Sequence, residues 1–142
     1  MYKCLTAQKK VMINNEKKVV MISGANRGIG KVLAEKLSEE GYLLSLGIRN
    51  PVSLPVSLSS ISGTQLLCNS YDAKIPQSAK SWVDETIDHF GRIDVLINNA
   101  GILHSIGIED DSEELLDEMW DVNAKAPLRL TRLAFPYLRK SG

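Results

Sequence analysis

The chain has 142 residues, 44% hydrophobic and 24% charged, with 17 lysines and arginines against 17 aspartates and glutamates. That is enough for one domain with a real core, and a balanced charge without a basic stripe argues against nucleic-acid and membrane-surface binding. Two distant cysteines, Cys4 and Cys68, make no metal-like or redox pair, so reduced thiols in a cytoplasmic protein and no metal site are expected. No apolar run is long enough to span a bilayer.

Residues 1–17 read as a polar leader, expected to be disordered. A transit peptide and a true start at Met12 are the alternatives. Val19-Val20-Met21-Ile22, bounded by Ser23-Gly24, has the continuous apolar character of a fully buried strand. A helix is predicted from Ile29 to Glu40, with Ile29, Val32, Leu33 and Leu37 on its apolar face and Gly41 at its end. Tyr42 to Ile48 reads as a second buried strand. The Ser- and Pro-rich stretch 50–63 allows only a short or irregular helix, because Pro51 and Pro55 break a longer one. Thr64 to Cys68 is a third strand. Pro76 opens a helix whose stripe is Trp82, Val83, Thr86, Ile87 and Phe90, closed by Gly91. Ile93 to Ile97 is a fourth strand. After a loop, helical pattern runs from Asp111-Ser112 to about Lys140, with interruptions expected at Pro127 and Pro136. Strands alternating with helices predict an α/β fold, a Rossmann-type doubly wound parallel sheet, occupying residues 18–142 and truncated after about four strands.

Between the first strand and first helix lies Ser23-Gly24-Ala25-Asn26-Arg27-Gly28-Ile29-Gly30. Gly24 permits a tight turn, Gly28 lets backbone approach a pyrophosphate, and Gly30 lets helix and sheet pack closely. Free N–H groups and the positive end of the helix dipole would then meet phosphate. An acid at the end of the second strand would hydrogen-bond the ribose 2′-hydroxyl of NAD. This strand ends Gly47-Ile48-Arg49-Asn50 instead. Arg49 and Arg27 suit the 2′-phosphate of NADP, since a guanidinium matches phosphate with two charge-assisted hydrogen bonds. The plain alternative is two solvated arginines.

These residues and three later motifs resemble the short-chain dehydrogenase/reductase family. SGANRGIG is similar to the family's TGxxxGIG, with Ser23 keeping the hydroxyl of the usual Thr. Asp72 matches the Asp that contacts the adenine ring. Asn98-Asn99-Ala100-Gly101 matches the NNAG motif along the cofactor ribose. Asn123, in WDVNAKAP, matches the helix Asn of the Asn-Ser-Tyr-Lys catalytic group. Arg27 with Arg49 resembles the NADP-preferring, carbonyl-reductase-like branch. The resemblance implies cofactor contacts at Ser23, Gly24, Asn26, Arg27, Gly28, Ile29, Gly30, Arg49, Asp72, Asn99, Ala100 and Gly101, and a catalytic role for Asn123.

The family's catalytic Ser and its Tyr-x-x-x-Lys pair have no counterpart here. Tyr137 is followed four residues on by Ser141, so it does not substitute. A solvated loop is expected for His104, and a favourable helix-dipole contact for His89. The sequence therefore reads as the NADP(H)-binding portion of an oxidoreductase acting on a carbonyl or alcohol, inactive alone. The alternatives are a non-catalytic NADP(H)-binding or interaction module and a non-functional product. The fourth strand is expected at a sheet edge. Several apolar side chains between Ser112 and Lys140 are expected to lack cover, which favours self-association and a possible homo-oligomer.

Overall fold

The computed structural model describes residues 17–141, so the expected leader, Lys17 apart, and Cys4 lie outside the described residues. Four strands, β1 (Val19–Ser23), β2 (Leu43–Ile48), β3 (Leu66–Ser70) and β4 (Val95–Ile97), form one parallel sheet in the order β3-β2-β1-β4. Five α-helices punctuate them: α1 (Gly28–Glu39), the one-turn α2 (Val56–Ser59), α3 (Pro76–Phe90), α4 (Glu113–Trp120) and α5 (Ala126–Ser141). A short 3-10 turn, Pro51–Ser53, precedes α2. The chain first builds outward from β1 through β2 to β3, then returns to place β4 on the other side of β1. This reversal of strand order makes a topological switch point, beside which open α/β sheets bind ligands.

The strands are apolar because both faces of the sheet are covered. Val20, Ile22, Leu44, Leu46 and Ile48 pack with Ala34 of α1 and Leu58 of α2 on one face. Met21 packs with Trp82 and Val83 of α3 and Leu130 and Ala134 of α5 on the other. Every residue of β1 and β2 is buried. Burying a side chain such as Leu or Ile contributes about 1.5–3 kcal/mol, so the centre of the sheet carries much of the fold.

Three local expectations are corrected. On α1 the buried positions are Gly30 and Ala34, and Leu37 packs on the same core as expected, while Ile29 and Val32 are 74% and 62% exposed. The sheet side of α1 therefore runs through its smallest residues, which let the helix sit close. The third strand starts two residues late because residues 62–66 are bent into a turn, with Gln65 N and Leu66 N both donating to the Ser62 carbonyl. The prolines do not interrupt the last helical region. A π-helical stretch, Asp121–Lys125, joins α4 to α5, and Pro136 lies inside α5. A proline ring crowds the carbonyl four residues back, which for Pro127 is that of Asn123. The wider π turn sits at that point and lets the helix pass.

One buried polar line crosses the core. Trp82 Nε1 donates to Ser45 Oγ at 2.8 Å, Ser45 and Thr86 hydroxyls meet at 2.7 Å, and Thr86 Oγ1 donates to the Trp82 carbonyl at 2.7 Å. Since the Thr86 proton goes to that carbonyl, Ser45 is the donor between the hydroxyls. These three buried groups are thus satisfied, as burial requires.

Candidate functional site

A cavity of about 560 Å³ opens at the carboxyl ends of the strands. It is lined from β1 by Gly24, Asn26, Arg27 and Gly28, from β2 by Gly47, Ile48 and Arg49, and from the β3 exit by Tyr71 to Lys74. Asn99 to Ile102 close it on the β4 side, with Glu118 and Val122 above.

The glycine turn has the geometry its spacing demands. Gly28 has φ +55°, and no atom lies within 4 Å of where its Cβ would be, so that side of the turn is open. At Gly30 a Cβ would lie 2.4 Å from both Asn99 Nδ2 and the Gly24 carbonyl. No side chain larger than hydrogen fits there without moving the turn. Arg27 is the N-cap residue of α1 and supplies no side-chain cap, so the first N–H groups of the helix keep free hydrogen-bonding capacity at its positive end.

The turn is joined to the β4 exit by a compact network. Ser23 Oγ accepts from Asn99 N and Ala100 N, each at 3.0 Å. Asn99 Nδ2 donates to the Ser23 carbonyl at 2.9 Å and to the Gly24 carbonyl at 3.2 Å. Ser23 is buried, so its hydroxyl is spent holding two loops together. Of the expected cofactor contacts, nine line the cavity, while Ser23, Ile29 and Gly30 do not. Asn98 reaches away to Thr131 of α5, its Nδ2 donating at 3.1 Å.

Asp72 shapes its own loop. Its Oδ1 accepts from Lys74 N at 2.9 Å, and its backbone N–H donates to Ser78 Oγ at 3.1 Å. Asn123, in the π stretch, makes a reciprocal pair with one residue of the β4–α4 loop: Oδ1 accepts from Ile102 N at 2.9 Å and Nδ2 donates to the Ile102 carbonyl at 2.7 Å. Arg27 and Arg49 both line the cavity, and neither has a carboxylate partner among the described residues. Two guanidiniums without a carboxylate partner among the described residues thus line the same cavity as Gly24, Gly28 and Gly47.

Several residues here gave no sequence signal. His104 lies in the β4–α4 loop and is partly exposed, as expected, but it is also paired: its Nε2 lies 3.0 Å from Glu118 Oε2. Lys74 pairs with the other oxygen of the same carboxylate. The hydrogen bond from Lys74 is the largest influence holding the Glu118 carboxyl below its usual range; partial burial opposes it and His104 adds to it. His89 bonds the Gly63 carbonyl at 3.0 Å, which anchors the end of α3 to the turn before β3. Burial raises the Tyr71 phenol, whose ring packs 5.0 Å from that of Trp82 behind the cavity wall.

A twisted parallel sheet with helices on both faces and a glycine turn at its switch point defines the Rossmann-type nucleotide-binding class. Within that class the chain belongs to the short-chain dehydrogenase family, whose sequence model, described as short chain dehydrogenase, matches residues 18–142. The members of this family are oxidoreductases that use nicotinamide cofactors. The chain is 40% identical over 125 residues to an agropine synthesis reductase of Rhizobium rhizogenes, covering 87% of this chain and 29% of that protein. Its fold matches an alcohol dehydrogenase of Thermococcus sibiricus, solved with 5-hydroxy-NADP, at a TM-score of 0.82 and 31% identity. That match covers 89% of this chain and 55% of the dehydrogenase. It also matches L-sorbose reductase of Gluconobacter frateurii, solved with NADPH and L-sorbose, at a TM-score of 0.80 and 29% identity, covering 89% of this chain and 49% of the reductase. The chain therefore spans about half the length of these solved structures. Among the described residues no helix is long and apolar enough to cross a membrane.

Proposed function

We propose that residues 18–142 bind NADP(H) for a cytoplasmic oxidoreductase that transfers hydride between the nicotinamide and a carbonyl or alcohol carbon. The carrying observation is the pair Arg27 and Arg49, both without a carboxylate partner and both lining the cavity where an acid would favour NAD. Gly24, Asn26, Gly28 and the free N–H groups at the start of α1 would hold the pyrophosphate. Asp72 would take the adenine, with one carboxylate oxygen already committed to Lys74 N and the other available. Asn99, Ala100 and Gly101 would lie along the nicotinamide ribose. Ser23, Ile29 and Gly30 would act at one remove, by fixing the turn. The bound cofactor supplies the hydride.

Proton transfer to the substrate oxygen needs a donor within hydrogen-bond reach. The 142 residues contain no Tyr-x-x-x-Lys. Asn123, the one member of the family's catalytic group found here, has its side-chain amide engaged by Ile102. Its role in this reading is to hold the loop beyond Gly101 in place beside the reacting groups. These residues alone would bind cofactor without turnover.

The test is an assay of the protein as its source cells make it, with NADPH or NADH and a panel of ketones, aldehydes and alcohols. Oxidation of NADPH in preference to NADH with any carbonyl substrate supports the oxidoreductase. Tight NADPH binding without turnover across the panel would favour the non-catalytic module. Absence of binding would overturn both.

A further inference from the structure

The two loops that form opposite walls of the cavity are tied to the α4–α5 rod, and one side chain holds both. The loop after β3 is fixed by Arg129 Nη1, which donates to the Ala73 carbonyl at 3.2 Å, and by Lys74, whose Nζ pairs with Glu118 Oε1. The loop after β4 is fixed by the Asn123–Ile102 pair, and by His104 Nε2 at 3.0 Å from Glu118 Oε2. Glu118 thus spends one carboxylate oxygen on each loop. Lys74 and Glu118 both line the cavity. The backbone N–H of Lys74 is also the group that holds Asp72 Oδ1. A shift of Lys74 therefore reaches the Asp72 carboxylate through a single residue.

An isolated ion pair on a surface contributes little, because water screens it and two long side chains lose freedom. A carboxylate engaged by two separate segments is a different case, since each bond keeps the acid oriented for the other.

We infer that Glu118 is a positioning residue for the adenine half of the dinucleotide, acting with Lys74 and His104 as a clasp that sets the spacing between the Asp72 loop and the β4–α4 loop. This rests on the NADP(H) reading above. The clasp need not touch the nicotinamide. The β4–α4 loop keeps the Asn123–Ile102 pair when the clasp opens, whereas Asp72 Oδ1 depends on Lys74 N, so loosening the clasp weakens ligands that carry adenine more than those that do not.

The experiment is calorimetric titration of the full protein with NADPH, with 2′,5′-ADP as an adenine-half probe, and with reduced nicotinamide mononucleotide. The proteins are wild type, Glu118→Gln, Lys74→Met and the double variant, each with its melting temperature. Each single variant is expected to weaken NADPH and 2′,5′-ADP by about twofold to fivefold, the range open to a partly exposed ion pair. The mononucleotide is expected to weaken less, and the melting temperature to stay unchanged. The double variant is expected to be no weaker than the worse single one, because both remove the same contact. Wild-type affinity for 2′,5′-ADP in Glu118→Gln, or equal weakening of the mononucleotide, would overturn the clasp and leave the cofactor reading intact. A wild type that binds neither NADPH nor 2′,5′-ADP would overturn the cofactor reading and the clasp with it.

Discussion

Strands β1 and β4 are hydrogen-bonded neighbours built from similar residues, and they differ in what surrounds them. All five residues of β1 are buried, with β2 on one side, β4 on the other and helices over both faces. On β4 no residue is fully buried, and Val95 is 36% exposed. Leu96 packs toward the α3–α5 face and Ile97 toward the α1 face, yet among the described residues β4 pairs with β1 alone. The apolar character of a parallel strand reports two covered faces and two neighbours. At β1 that demand is met within these residues. At β4 it is met on one side.

The largest effects are expected where cover is complete. Trp82→Ala removes the ring that fills the space against Gly47 and Tyr71 and takes the donor from Ser45. It should cost about 3–5 kcal/mol in chemical denaturation, the usual range for a large aromatic lost from a core. A loss below about 1 kcal/mol would mean that the α3 face is far looser than its packing indicates.

A smaller effect is expected at the seam where the two strands meet. Asp94 Oδ2 accepts from Val19 N at 2.7 Å and from Arg92 Nε at 2.8 Å, so one carboxylate ties the start of β1 to the approach to β4. Asp94→Asn keeps the shape and removes the charge, and should cost about 1–3 kcal/mol, as for an ionic hydrogen bond lost at a largely buried site. Denaturation midpoints for this variant and for Arg92→Ala measure it.

The smallest effect is expected on the open side of β4. Val95→Thr should change stability by no more than about 0.5 kcal/mol, as for an ordinary surface position. A larger loss that grows with protein concentration would show that β4 is covered in solution by another copy. Sedimentation of the same samples separates that from a monomer effect.

The contrast also explains what could be read from the sequence. The order of strands and helices was legible, because buried strands and the α3 stripe repeat with fixed periods. The glycine turn was legible because Gly24, Gly28 and Gly30 answer a geometric need, seen at Gly30 as a clash waiting for any Cβ. The exposed face of α1 was misread because small residues, Gly30 and Ala34, make the contact while larger ones, Ile29 and Val32, face outward. Hydrophobic size points the wrong way at Ile29 and Val32, though not at Leu37, which packs on the core. The passage of the last helix through Pro127 was hidden because it depends on a π turn, which leaves no residue signature. The Glu118 clasp was invisible because it joins positions 74, 104 and 118, which sequence spacing does not relate. The resemblance to a family supplied roles for Asp72 and Asn123 that their local patterns alone do not carry.

The central claim is that this cavity selects a dinucleotide bearing a 2′-phosphate, and direct binding tests it. Calorimetric titration of wild type and Arg49→Ala with NADPH and NADH should show NADPH bound more tightly by about tenfold or more in the wild type, the range expected of charge-assisted pairing to phosphate. In Arg49→Ala that preference should shrink. Equal or tighter binding of NADH by the wild type would contradict the account.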